Sequence, residues 1–182
     1  MTPAKFITPL EVSRYTALSG DIDGNKVMPF IKIAEDTHIY TFLGSQLFEK
    51  ISADITAGTL SGVYLTLLND YIKPMTVHWA MTEYIPFSGV TIGTKGAYDH
   101  NSENSNTKTK QDLDFLVQKS KQIAENYTEK FIKYMTVNYQ SFPEYYLAQT
   151  GDTIPTLSTT PGGWYLPIYK GLTQNDAGDI KR

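Results

Sequence analysis

The sequence predicts a mainly α-helical protein: a bundle of about four helices, a short inserted β-hairpin and an extended C-terminal arm. Three observations carry this. Apolar residues recur at helical spacing through long stretches bounded by capping and breaking residues. One short stretch changes character, because Val90-Thr-Ile92 and Ala97-Tyr98 flank Gly93-Thr-Lys-Gly96, the pattern of two strands around a Gly-containing loop. After Gly151 the helical period stops, and the last 32 residues hold 5 Gly and 3 Pro. The expected organisation is a bundle over residues 1–150, with the hairpin and a polar loop at about 86–107, and an arm over 151–182.

The elements follow in chain order. Thr8, Pro9 and Glu11 form a helix-start signal, with the threonine as N-cap and the glutamate three residues on. That short helix is expected to run to Ser19 and end at Gly20. Asp21-Ile-Asp-Gly-Asn25 is turn chemistry, with Asp23 or Asn25 as the next cap. A second helix is expected from about Lys26 to Lys50, loosened or interrupted at Gly44, with a further apolar turn closed by Gly58. A third spans about Ser61 to Ile85, and Pro74 should kink or split it near Ile72-Lys73. The fourth, about Lys108 to Tyr139, keeps Leu113, Leu116, Val117, Ile123, Tyr127, Phe131, Tyr134 and Met135 on one face. Phe142-Pro143 interrupts it, and Glu144 to Gln149 can add one more turn.

Composition narrows the function. The chain has 182 residues and no cysteine, which excludes disulfide scaffolds, thiolate metal sites and cysteine nucleophiles. Its net charge is −3, from 16 Lys+Arg against 19 Asp+Glu, so it is not built to grip phosphate backbones through a basic surface. Met1 to Phe6 has no apolar signal core, and no apolar run is long enough to span a membrane. These features lead to the expectation of an intracellular, soluble protein. The aromatic share is 13% while the charged share is only 19%, a surface composition suited to being covered by other chains.

Candidate chemistry is sparse. Glu35 and His38 have the Glu-x-x-His spacing that puts two metal ligands on one helix face, but a di-iron bundle needs a second such pair. His78 and His100 do not supply it, so His38 reads as a packed or interface histidine. The turn at Asp21–Asn25 resembles the start of a calcium loop, but its glycine comes early and position twelve is Lys32. Gly93–Gly96 lacks the Gly-Lys-Ser/Thr run of a phosphate loop. Asp112 and Asp114 fall on different helix faces, and Glu125 and Glu129 share a solvated one. No nucleophile, base and electrostatic stabiliser come together, and no cofactor or metal is expected.

The arm holds the clearest binding element. Trp164, Tyr165, Leu166, Pro167, Ile168 and Tyr169 form an aromatic island behind Gly162-Gly163. Each large apolar side chain here gains about 1.5–3 kcal/mol on full burial. The prolines lower the entropy lost on docking, and Trp and Tyr are common interface anchors. These six residues are therefore expected to dock on a partner, or else to fold back on the chain's own bundle.

Ile7-Thr8-Pro9-Leu10-Glu11-Val12, an acidic turn, and a helix closing on Tyr40-Thr-Phe-Leu-Gly44 follow one another in an order that resembles the head–tail connector (adaptor) proteins of tailed phages. The later features are similar to connector or ring proteins of phages of Bacteroidota, including the crAss-like group. They are the hairpin glycines Gly93 and Gly96, the Ser/Asn-rich stretch after it, Phe131-Ile-Lys-Tyr134 and Ser141-Phe-Pro-Glu-Tyr145. The resemblance covers residues 7–146. It implies a virion neck protein, assembled in the host cytoplasm as a homo-oligomeric ring of about twelve subunits below the portal. Such a ring extends the DNA channel without sequence-specific binding and carries further neck or tail proteins. It also implies no catalytic residues and no membrane. The competing expectations are a stopper or tail-completion protein, a cytosolic helical binding module, and an enzyme using a Glu35/His38 or Glu83/His78 pair.

Overall fold

A computed structural model describes residues 6–16, 18, 23–88, 90–93, 96–99, 110–146 and 153–157. The protein is mainly helical. Helix α1 (Pro9–Tyr15) starts as its sequence dictates: the Thr8 hydroxyl accepts from the Glu11 N–H, and the Glu11 carboxylate accepts from the Thr8 N–H in return. It ends earlier than expected, at Tyr15. The Thr16 hydroxyl bonds back to the Val12 carbonyl and accepts the Leu18 N–H, which turns the chain out of the helix. Glu11 does a second job, accepting from Lys73 Nζ at 2.8 Å. Burial alone would raise the Glu11 carboxyl, but the bonds from Lys73 and Thr8 outweigh it and hold it below the usual carboxylate range.

Asp23 caps α2 (Gly24–Ala34) through the Asn25 N–H. A π-helical turn, Glu35–Ile39, leads into α3 (Tyr40–Ala57). Inside α3 the helix breaks at Gly44, whose φ of 73° and ψ of 162° are outside helical space. Gly58, at φ 68°, closes α3 in the left-handed cap that glycine adopts without strain. Helix α4 (Gly62–Leu67) runs through a second π-helical turn, Leu68–Ile72, into α5 (Lys73–Tyr84). Pro74 was expected to kink this stretch. The widened turn lies just before it, where the ring would otherwise press on the carbonyl one turn back, and the chain stays helical. Pro29 sits inside α2.

Val90–Gly93 (β1) pairs antiparallel with Gly96–Asp99 (β2), with Val90 opposite Asp99. Helix α6 covers Lys110–Val137, and α7 is one turn, Pro143–Tyr146.

Helix α5 is central, packing against α2 on one side and α6 on the other. Its residues Met75, Thr76, Val77, Trp79 and Ala80 are buried, and α6 contributes Ser120, Ala124, Thr128, Phe131 and Met135. The small residues Ala80, Ala124 and Ser120 let these helices approach closely. The polar groups in this seam are paired: Trp79 Nε1–H donates to Thr128 Oγ1 (3.0 Å), Thr128 Oγ1–H to the Ala124 carbonyl, and Ser120 Oγ–H to the His78 carbonyl. At the far end, Phe142 and Tyr145 are buried, and Phe142 meets Tyr64 edge-on. Among the described residues, no single helix is long and apolar enough to cross a membrane.

Candidate functional site

The first feature of interest is the break at Gly44. Breaking a helix leaves carbonyls without partners on one side and N–H groups on the other. Here the missing partners come from the start of the arm. The Ser45 N–H donates to the Thr153 carbonyl (3.0 Å), and the Thr156 N–H donates to the Thr41 carbonyl (3.0 Å). Ser45 Oγ adds a longer contact to the Thr153 N–H at 3.4 Å. Between these bonds Pro155 is buried against Gly44. A Cβ on residue 44 would stand 2.7 Å from Pro155 Cδ and 3.0 Å from the Thr153 carbonyl oxygen. Glycine is thus needed twice, for its positive φ and for the room Pro155 takes. Residues 153–157 form a strap across the break. The start of the expected arm thus packs on the body.

The second feature surrounds His38. The π-helical turn presents its ring to α5, where it stacks on Trp79 (centroids 3.8 Å apart, 11° between planes). Its Nε2 lies 2.8 Å from Glu83 Oε1. Glu35 does not join it: that side chain is buried and accepts the Phe6 N–H at 2.8 Å. The Glu-x-x-His pair is split between interior and surface. The Glu83/His78 pair is not formed either, since five residues on a helix point the two side chains well apart. His78 stacks on Tyr127, and burial pushes its imidazole below the ordinary value. The His38–Glu83 pair joins residues 45 positions apart, and neither position carries a local pattern that announces it.

Other candidates stay dispersed. Among the described residues, no three His, Asp or Glu side chains gather to hold a metal. Asp23 serves as a helix cap. Glu125 faces Lys121, and Glu129 faces Lys133, on the exposed side of α6. An open depression of about 360 Å³ lies between α1 and the start of α2, lined by Thr8, Pro9, Leu10, Ser13, Leu18, Gly24 and Val27, with no ionisable side chain among these described residues. His100 and the arm anchors Trp164, Tyr165, Leu166, Pro167, Ile168 and Tyr169 lie outside the described residues.

Residues 39–153 match a family of unknown function, DUF6712. The chain belongs to that family. No curated protein and no solved structure matches it. The DUF6712 match runs from the last residue of the first π-helical turn to the first residue of the strap. It takes in the Gly44 break, the whole of α5 and α6, and the Thr153 carbonyl that meets Ser45. Pro155 and Thr156, which complete the strap, lie beyond the match.

Proposed function

We propose that this DUF6712 chain is a structural head–tail connector of a tailed phage, working as a homo-oligomeric ring of about twelve copies below the portal. In the finer architecture that goes with this reading, the body is a bundle of about four helices with an inserted hairpin, and the arm beyond the strap is the docking element. The observation that carries the reading is the order of motifs along a mainly helical chain. It runs from Ile7–Val12 through Tyr40-Thr-Phe-Leu-Gly44 to Ser141-Phe-Pro-Glu-Tyr145. The mild negative charge supports it, because DNA must pass such a channel without being held, and phosphate binding comes mainly from Lys and Arg. In this reading the protein is not an enzyme, and the His38–Glu83–Trp79 cluster fixes α2 to α5.

The arm provides the test. The informative truncation ends at Leu157, so that the Gly44 break keeps its partners. A chain ending at Leu157 is expected to stay folded and to fail to join the assembly formed by the full chain with the portal. In the full chain, Trp164→Ala is expected to weaken docking by about 2–4 kcal/mol. Normal incorporation of the truncated chain would remove the arm from the proposal.

A further inference from the structure

We infer that the Gly44 break is an acceptor site for a short proline-containing segment, and that Thr153–Leu157 occupies it as an exchangeable ligand supplied by the same chain. The break offers what such a segment recognises. Without the strap the Thr41 carbonyl and the Ser45 N–H would lack partners, and Thr153 and Thr156, with two residues between them along the strap, bond one each. Between them the missing Cβ of Gly44 leaves a seat for a proline ring. The recognition is of backbone, read as in strand addition to a sheet edge, with one side-chain pocket supplying selectivity.

The strap is held lightly. Among the described residues its backbone-to-backbone bonds to the body are the two at Ser45 and Thr41, beside the 3.4 Å contact of Ser45 Oγ with the Thr153 N–H and the partly buried Leu157 on the core. Pro155 is its one fully buried side chain, and Ile154 is 69% exposed. Helix α7 anchors the chain just upstream through the buried Tyr145. Over so short a separation the effective concentration is in the millimolar range, so a site of ~0.1 mM intrinsic affinity is filled about nine-tenths of the time. A segment delivered from outside must then either reach millimolar concentration or find the site vacated. Filling of the site also fixes the point from which residues 158–182 depart.

The experiment uses the full-length chain and a capped peptide of residues 151–158, Gly-Asp-Thr-Ile-Pro-Thr-Leu-Ser. Pro155→Asp in the chain puts a charge into the buried seat and expels the strap. Hydrogen exchange at the Ser45 amide reports this as at least a ~10-fold acceleration. The added peptide should then give saturable chemical-shift changes at Thr41 and Ser45 and restore protection at Ser45. The parent chain, whose site is filled, should show little response at the same concentration. Thr156→Pro, which removes the N–H given to Thr41, provides a second vacated chain and should bind the peptide likewise. Pairing Pro155→Asp with Gly44→Ala should abolish binding, since the new Cβ occupies the proline seat. Three results would each overturn the inference: a vacated site that ignores the peptide, equal binding by parent and variant, or loss of the whole fold in both Pro155→Asp and Thr156→Pro, which would make the strap part of the core.

Discussion

The seam between α5 and α6 and the strapped break at Gly44 solve the same problem in opposite ways. Both place polar groups in a packed interior and must pair them. In the seam the work is regular. Two helices supply their own backbone bonds, and only a few side chains, Trp79, Thr128 and Ser120, need partners across or along the helices. At the break, backbone groups are the problem, and the partner is a segment 108 positions away in sequence. The seam is stabilised by buried area, the break by the fit of one proline against one glycine. Burial of this kind tolerates no loss of volume, while the break tolerates no gain of it.

Substitution can separate the two. The largest effect is expected in the seam. Phe131 is fully buried, and Phe131→Ala should lower the unfolding free energy by about 3–5 kcal/mol in urea titrations. At the break, Gly44→Ala should cost more than Gly58→Ala. Gly58 lies in the left-handed helical region, which costs an alanine roughly 1–2 kcal/mol, while Gly44, at φ 73° and ψ 162°, lies in a region that glycine alone enters readily. Only Gly44 has a neighbour in the way, since a Cβ at Gly58 meets nothing within 4 Å. The difference between the two variants combines the stricter backbone of Gly44 with the seat of Pro155, and equal costs would show that neither constrains Gly44. Thr128→Val keeps the shape of the seam and leaves the Trp79 N–H without its acceptor, for an expected loss of about 1–3 kcal/mol.

The smallest effect is a pH slope. Burial lowers the His78 pKa, so the folded state favours the neutral ring more than the unfolded chain does. Its contribution is present above the ordinary histidine value of 6.5 and is lost as pH falls through the lower folded value. Urea midpoints should therefore decline on going from pH 8 to pH 5, and His78→Gln should flatten that decline.

This contrast also explains what was legible in the sequence. The Thr8 cap was readable because it depends on a residue three positions away. The buried face of α6 was readable only in part: Phe131 and Met135 lie on it, but Leu116 is 43% exposed, and Ser120, Ala124 and Thr128 are too small or polar to carry an apolar signal. Gly44 could be read as an interruption, but its partner could not. Nothing in Thr153-Ile-Pro-Thr-Leu157 marks it as a strap, and the pairing exists only once the chain has folded back. The end of α1 was missed for a similar reason, because Thr16 bonding to its own helix stops it before Gly20 is reached. The Glu35/His38 spacing brings no pair together: Glu35 accepts the Phe6 N–H, and His38 is a packed histidine stacked on Trp79. The His38–Glu83 pair, in turn, is made by the packing of α5 against the turn that carries His38.

Connector function is the central claim, and the native mass of the full chain tests it most directly, measured alone and after co-expression with the portal protein of the same phage. The account predicts a complex carrying about twelve copies of the 20.5 kDa chain on the portal. A monomer or dimer that ignores the portal would contradict it and would favour a helical binding module, with the His38–Glu83–Trp79 cluster as the first place to look for a ligand.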